Sequence, residues 1–337
     1  MDPTGARSDA GAAAVRRGRL AGPVATLALA AMLAAPAALA QDAPAWLARV
    51  AAAAADLNYV GTIVYQHGLR VETSRLVHLN DRGNPMEKLV NLDGPAREII
   101  RSATEVRAYY PDARVIRIEP RAFRNAFPAL SAAEQKALVD NFDFRKLESG
   151  RVAGLDAQAW AFEPKDGLRF GHKFWVDNAT GLLLKASVSN ERGEIVEQFS
   201  FTDLSIGARI DPEMVKPTWA GIAAGWSIQR SPLGDIDQRD TGWTVGKLPA
   251  GFSKIAEGYR ELRNRPEPVA HLVYSDGLVA VSVFIEKAGG AQPRPPGRSQ
   301  HGGTNVYVRP VDDRVVTVLG EVPATTVRQI ANSVSRR

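Results

Sequence analysis

Residues 155–204 carry the most regular alternation of apolar and polar side chains in the chain. Runs rich in aromatic and branched residues, which suit a pleated sheet, are separated by three turn signals. Each signal supplies Gly or Asn where a hairpin needs positive φ, and the three lie at residues 165–167, 177–181 and 190–193. The pattern predicts four consecutive antiparallel strands. Since side chains two apart share a sheet face, one face carries Phe170, His172, Phe174 and Val176.

An apolar sheet face of this size has to be covered by protein or has to hold an apolar ligand. On the second interpretation, one side of the meander lines a cavity, and the candidates for its lining are Phe162, Phe174, Val188 and Phe201. The alternative is that these four side chains are ordinary core.

Before residue 121, the sequence predicts one helix and six short strands. Trp46, Leu47 and Val50 begin an apolar stripe on an Ala-rich helix over about 44–56. Turn dipeptides then separate strand-like runs at residues 59–66, 69–79, 86–93, 97–101, 106–110 and 114–119. The regular spacing predicts a sheet of many antiparallel strands.

This regularity is interrupted once, at residues 121–144. Ser131 and Glu134 form a capping box, which predicts a helix over about 132–141. The preceding apolar segment carries Phe123, Phe127 and Leu130 and has no strand pattern. It is either a loop packed on the core or a lid over an apolar cavity, and in the second case these three residues contact the ligand.

Beyond residue 206 the periodicity disappears, which predicts a connector over 207–242 and a second domain over 243–337. This domain opens with a strand, continues with a hairpin through Asp276-Gly277, and then has a Gly/Pro-rich loop at 289–303. Two further strands follow, at 304–309 and 314–319. Pro323 opens a C-terminal helix that carries Val327, Ile330 and Val334.

The N-terminus indicates export. Arginines at positions 16, 17 and 19 precede an apolar run that ends in Ala38-Leu39-Ala40, which predicts a signal peptide over 1–40; the alternative is an anchor helix. No other stretch is apolar enough to span a membrane, so the mature chain of residues 41–337 is expected to be exported. Cleavage removes four Arg and two Asp and lowers the formal charge from +5 to +3. So mildly basic a chain gives no reason to expect a nucleic-acid partner.

Signatures of catalysis are missing from the sequence. There is no Cys, the five His have no metal-ligand spacing, and no nucleophile-elbow or phosphate-loop motif is present. We therefore expect neither an enzyme nor a cofactor nor a metal site. Seven arginines between Arg97 and Arg124 indicate either a solvated sheet face or an anion-receptive surface beside a hydrophobic cavity.

Several short runs, in the same order and spacing, resemble the RseB/MucB family over nearly the whole mature chain. The runs are Asn91-Leu92-Asp93-Gly94-Pro95-Ala96-Arg97-Glu98, Phe174-Trp175-Val176-Asp177 with Gly181-Leu182-Leu183, Gly193-Glu194 with Glu197-Gln198-Phe199, Leu248-Pro249-Ala250-Gly251-Phe252, Tyr274-Ser275-Asp276-Gly277-Leu278 and Gly320-Glu321-Val322-Pro323.

The resemblance implies an α+β protein in two parts: over 41–206, an unclosed antiparallel β-barrel with lid helices like those of LolA and LolB, and a smaller C-terminal α+β domain. It also implies a periplasmic regulator of an envelope-stress sigma factor. Such a protein binds the periplasmic segment of a single-span anti-sigma factor, shields it from proteolysis and senses lipid or lipopolysaccharide fragments. The alternative is a periplasmic carrier of lipid or lipoprotein. Homo-oligomerisation stays open.

Overall fold

The computed structural model describes residues 37–120, 132–230, 239–262, 267–288 and 297–337. Within these ranges the chain forms a twelve-stranded sheet, a six-stranded sheet, a small two-stranded sheet and three α-helices. The predicted α+β class is confirmed: an open, mainly antiparallel N-terminal sheet with helices is followed by a smaller C-terminal part.

The first sheet is antiparallel along its length except at one edge. Its order is β12-β6-β5-β4-β3-β2-β1-β11-β10-β9-β8-β7, so the sheet is not closed, and only β12 runs parallel to its neighbour β6. The strands are β1 (Tyr59–His67), β2 (Arg70–Asp81), β3 (Asn84–Asn91), β4 (Glu98–Arg101), β5 (Glu105–Tyr110), β6 (Val115–Pro120), β7 (Phe142–Val152), β8 (Leu155–Pro164), β9 (Gly171–Asp177), β10 (Leu183–Ser189), β11 (Ile195–Ile206) and β12 (Ser227–Arg230).

The predicted meander is confirmed as β8 to β11. In β9, buried His172, Phe174 and Val176 alternate with half-buried Lys173 and Trp175, which is the predicted period of two.

Two helices cover part of one sheet face. The helix α1 spans Ala37–Asp56 and α2 spans Ala132–Asn141. The capping box therefore marks the start of α2 correctly, whereas α1 begins before the predicted Pro44, since the alanines before Pro44 are strong helix formers. Trp46 of α1 lies in an aromatic box: its ring centroid is 5.3 to 6.1 Å from those of Phe144, Trp160, Phe162 and Phe174.

Part of the predicted connector packs on this same sheet. A 3-10 helix over Pro212–Val215 buries Val215 against Val77 and Leu79. Trp219 and Trp226 pack near Ile100 and Tyr109, and β12 then pairs with β6. Residues 207–230 thus carry structure that the sequence pattern does not indicate, because single side chains from an irregular backbone provide the packing.

The six-stranded sheet has the order β14-β15-β16-β19-β18-β17, and its core face packs against α3. The elements are β13 (Trp243–Val245), β14 (Ser253–Arg260), β15 (Val269–Ser275), β16 (Ala280–Lys287), β17 (Gly297–His301), β18 (Thr304–Val311), β19 (Arg314–Gly320), α3 (Ala324–Asn332) and β20 (Val334–Arg336), with β13 and β20 forming the two-stranded sheet.

Two predictions for this region are wrong. Part of the Gly/Pro-rich loop at 289–303 is strand β17, which pairs with β18 although all five of its residues are exposed and none is apolar. Val334 does not lie on the C-terminal helix, because the chain leaves the helix at Ser333 and Val334 pairs with Val245 in the small sheet.

Residues 1–36, most of the predicted signal peptide, lie outside the described ranges. Within the ranges described, none of the helices has the length and apolar character that a membrane crossing requires.

Candidate functional site

Buried polar contacts lie where the C-terminal sheet meets the N-terminal sheet. Residues Ala38–Arg337 form one compact unit. The meeting region, named here the junction, has a buried end around Arg169 and an outer end around Gly302 and Glu321.

Arg169 occupies the buried end. It lies in the turn between β8 and β9, its side chain is 1% exposed, and its Nε is 3.6 Å from Oδ2 of Asp276, which lies between β15 and β16. The guanidinium donates a hydrogen bond to the carbonyl of Ala250 and lies between the rings of Phe142 and Phe252, at 5.6 and 5.2 Å. This cation of the N-terminal part is thus enclosed by groups from both parts of the chain, and its Nη2 is also 3.6 Å from Oδ2 of Asp166 in its own turn.

Asp276 is held by its own turn. Its Oδ1 accepts hydrogen bonds from the backbone N–H groups of Leu278 and Val279, both at 3.1 Å. Burial raises the pKa of Asp276, and the backbone donors and Arg169 oppose that rise. The carboxylate therefore depends on Arg169 for its only charged partner among the described residues.

Close backbone approaches surround this pair. The hydroxyl of Thr326, on α3, donates to the carbonyl of Leu168 at 2.8 Å. Gly251 has φ +79°, and a Cβ there would be 2.4 Å from Nδ2 of Asn141. A side chain at Gly251 would clash with α2, so this position needs glycine for two independent reasons.

At the outer end, the hairpin that joins β17 and β18 rests on β1 and β11. A Cβ on Gly302, which has φ +57°, would be 2.5 Å from Cε1 of His67, and a Cβ on Gly303 would be 3.2 Å from Cγ2 of Val196. The backbone of the hairpin therefore lies directly against the N-terminal sheet.

A polar cleft opens beside this contact, with a volume of about 610 Å³. Its walls come from both parts of the chain: the turn between β10 and β11, strand β17, and the start of α3. The lining residues are Phe170, Asn190, Glu191, Arg192, Glu194, Arg298, Ser299, Gln300, Asn305, Ala324 and Thr325. A second pocket, of about 490 Å³, is lined by residues of the N-terminal sheet that include Arg70, Arg97 and Tyr110.

Three of the seven arginines in the arginine-rich stretch are paired with glutamates. Arg97, Arg101 and Arg107 form ion pairs with Glu72, Glu87 and Glu105, respectively. These pairs favour the solvated sheet face over the anion-receptive surface.

The predicted cavity residues do not form one group. Phe162 and Phe174 are buried in the aromatic box around Trp46, with their own ring centroids 5.6 Å apart. Phe201 belongs to a different buried cluster, with Tyr59 and Leu76, and Val188 is only half-buried. Phe123, Phe127 and Leu130 lie outside the described residues. A cavity lining therefore stays a prediction for all seven.

The sequence pattern does not identify the junction residues. It predicts Asp276 only as a turn residue and assigns no role to Arg169 or Glu321. The local sequence offers one indication that Arg169 is buried: it is a charged residue between two strands rich in aromatic side chains. Among the described residues, no three His, Asp or Glu side chains come together as metal ligands.

Two family models match the chain: the MucB/RseB N-terminal domain over residues 42–219 and the MucB/RseB C-terminal domain over residues 237–335. The sigma factor AlgU regulatory protein MucB of Pseudomonas aeruginosa is 33% identical over 314 residues, which are 91% of this chain and 95% of that protein. The sigma-E factor regulatory protein RseB of Escherichia coli strain K12 is 25% identical over 283 residues, 84% of this chain and 87% of RseB.

Solved structures of MucB are also similar. A crystal structure of MucB in complex with MucA(peri) gives a TM-score of 0.71 at 31% identity and covers 88% of this chain and 99% of that one. A crystal structure of MucB gives a TM-score of 0.58 at 28% identity, with 88% and 98% covered. The matches of both family models, which together span most of the chain, establish that this protein belongs to the MucB/RseB family.

Proposed function

We propose that this protein is a non-enzymatic periplasmic regulator that binds the periplasmic segment of a membrane-anchored anti-sigma factor and shields it from proteolysis. The observation that carries the proposal is the similarity of this chain to MucB as it occurs in complex with MucA(peri). The TM-score is 0.71 for that complex and 0.58 for the crystal structure of MucB. Names of relatives as sigma-factor regulatory proteins support the same proposal.

Among the described residues, the junction offers a surface suited to a partner. Its cleft takes walls from both parts of the chain, and charged, exposed Arg192 and Arg298 flank it on opposite sides. A segment that contacts both walls would depend on the arrangement of the two sheets. A change in the arrangement of the two sheets would then be enough to release the segment.

Lipid or lipopolysaccharide fragments are the proposed signal for release. A ligand can release a partner only if it binds better to the arrangement that does not hold the partner. In the present arrangement Trp46 fills the aromatic box, so an acyl chain would have to displace α1 before it contacted Phe162 or Phe174. Lipid binding would thereby be linked to movement of an element that covers the sheet.

Calorimetry with residues 41–337 and the periplasmic segment of the anti-sigma factor from the same organism tests partner binding. We expect Arg192→Ala and Arg298→Ala each to weaken binding by about 5-fold or more, since arginines are common interface hot spots. Arg209→Ala serves as the control, because Arg209 is exposed and does not line the cleft. No measurable binding by the unaltered chain, or equal losses for all three variants, would contradict the proposal.

A titration with lipid below its micellar threshold tests release. Typical coupling of about 1–3 kcal/mol corresponds to roughly a 5- to 150-fold loss of partner affinity at saturating lipid. An affinity that stays constant while lipid occupies the protein would leave partner binding intact and exclude the switch. Transfer of lipid to an acceptor without any partner binding would favour the carrier instead.

A further inference from the structure

The face of the six-stranded sheet that points away from α3 carries two buried polar side chains, Arg260 on β14 and His271 on β15. The strand register places them on the same face, because His271 pairs with Gly258, two residues before Arg260. Ala270 and Leu272 point to the opposite face, where they belong to the core beside α3. Arg260 is 7% exposed and His271 is 2% exposed. The sheet thus buries two polar groups outside its apolar core.

One aromatic ring, that of Phe284 on β16, contacts both side chains. Phe284 is the strand partner of His271, and the two rings are stacked with their centroids 4.2 Å apart and their planes 3° from parallel. The Cζ atom of Arg260 is 5.7 Å from the centroid of the same ring. The planar guanidinium and the planar imidazole are therefore both positioned by Phe284.

Four nitrogen atoms of these two side chains are buried and have no hydrogen-bond partner among the described residues. They are Nε and Nη2 of Arg260 and Nδ1 and Nε2 of His271. Nε and Nη2 lie on one edge of the guanidinium and direct their N–H bonds the same way, which is the geometry that binds two oxygens of one group. Buried polar groups in proteins are nearly always paired, so four unpaired nitrogens at one place indicate that this face binds a polar ligand.

The charges at the site favour a ligand with one negative charge. Burial lowers the pKa of Arg260 and the charge of Glu119, on β6, opposes that change, but a guanidinium stays protonated in proteins. Water could satisfy its hydrogen bonds but would not balance its charge. Burial, followed by the charge of Arg260, lowers the pKa of His271 to about 3, so the ring is neutral and one of its nitrogens is a donor.

We propose that Arg260 and His271 form a binding site for a carboxylate, whose two oxygens accept from Nε and Nη2 of Arg260 while one of them also accepts from a ring N–H of His271. A carboxylate matches this edge because it is planar and carries one charge over two oxygens. A phosphate with two negative charges would leave one of them unbalanced near Glu119. Neither Arg260 nor His271 lines the cleft proposed for the partner, so the two proposals fail separately.

Nuclear magnetic resonance of the mature chain tests the site, with histidine labelled at its ring nitrogens and acetate exchanged for chloride at constant ionic strength. We expect a saturable shift of the ring nitrogens of His271, whose signals are assigned with His271→Phe. A ligand reaches a buried site during local opening, so each point is left to equilibrate. His172 is the control, because it is also buried, lies 6.0 Å from the ring of Phe174 and has its pKa lowered to about 4 by burial. Its signals should not move.

A conservative variant assigns the binding to the guanidinium. Arg260→Lys keeps the positive charge but loses the two parallel donors, and we expect it to weaken acetate binding by roughly 10-fold or more. Arg209→Lys, at an exposed arginine, should leave the affinity unchanged. Circular dichroism establishes that each variant folds. If Arg260→Lys does not fold, the comparison of His271 with His172 in the unaltered chain decides by itself.

Two further titrations identify the kind of ligand. Inorganic phosphate at slightly alkaline pH should bind more weakly than acetate. Binding of N-acetylglutamate N-methylamide would support an acidic side chain of another protein as the ligand, whereas binding of acetate alone would support a small free carboxylate. The proposal is overturned by the absence of a saturable shift at His271, by an equal shift at His172, by equal affinity in Arg260→Lys, or by tighter binding of phosphate than of acetate.

Discussion

At the scale of single residues, the junction depends on side chains that are costly to bury and on glycines that allow close approach. Arg169 and Asp276 are both almost fully buried, at 1% and 2% exposure of their side chains. Desolvation of two charges offsets much of their attraction, so such a pair adds little net stability but is damaging to break. Its effect is to specify which surfaces meet.

Single and double substitutions of this pair should be far from additive. Arg169→Met alone leaves a buried carboxylate without its cation and is expected to lower the free energy of unfolding by about 3–5 kcal/mol. Asp276→Asn keeps an oxygen for Leu278 and Val279 but removes the buried counter-charge of the guanidinium, which keeps the less buried Asp166 at 3.6 Å. The double variant should lose much less than the sum of the two. Urea denaturation in a double-mutant cycle measures this, and additive losses would show that the pair is not coupled.

Gly302 should be sensitive to a single methyl group. Gly302→Ala places a Cβ at 2.5 Å from His67, whereas Gly83, also at positive φ, has nothing within 4 Å of an added Cβ. Both alanine variants carry the left-handed strain of about 1–2 kcal/mol. Only Gly302→Ala should also separate the two walls of the cleft. The separation is measured at neutral pH as the distance between spin labels on two cysteines introduced by Arg192→Cys and Ser299→Cys. Equal distances in the two variants would mean that the hairpin does not rest on β1.

At the scale of secondary-structure elements, the local sequence pattern predicts the elements whose apolar periodicity or capping residues lie within the element itself. The meander β8–β11 and the helix α2 follow from period-two alternation and from a capping box. The sequence pattern does not predict the strands β12 and β17, because both are short and mostly exposed and neither has an alternation of apolar residues. The role of Arg169 could not be predicted from local sequence either, because its burial depends on Ala250 and Asp276, which are distant in the sequence.

The helix α1 should be both a stabilising element and an obstacle to apolar ligands. Trp46→Ala removes the ring that fills the aromatic box and is expected to lower the free energy of unfolding by about 3–5 kcal/mol. The space left behind should increase saturable binding of an apolar dye to the folded protein. Leu92→Ala, at a residue 57% exposed, is the control. Unchanged dye binding by the Trp46 variant would argue against an apolar site beneath α1.

At the scale of the whole molecule, residues 207–230, which the sequence assigns to the connector, pack on the N-terminal sheet. A fragment of residues 41–206 lacks the 3-10 helix and β12, and so exposes Val77, Leu79, Ile100 and Tyr109. A fragment of residues 41–230 keeps their cover. We expect the longer fragment to unfold at a higher temperature and to aggregate less. Equal melting temperatures would show that residues 207–230 contribute nothing to the sheet.

The pairing of β1 with β11 has a consequence for how the chain reaches its native state. Tyr59 pairs with Ile206, while β2 to β6 and β7 to β11 are built from neighbouring hairpins. Hairpins between neighbours form quickly, but a pairing between distant strands waits for loop closure. Because the chain is synthesised from the N-terminus, the edge of β1 that pairs with β11 therefore stays unpaired until β11 has been made. The two halves of the large sheet then join along that seam, and the interval before they join is when the nascent chain is most exposed to aggregation.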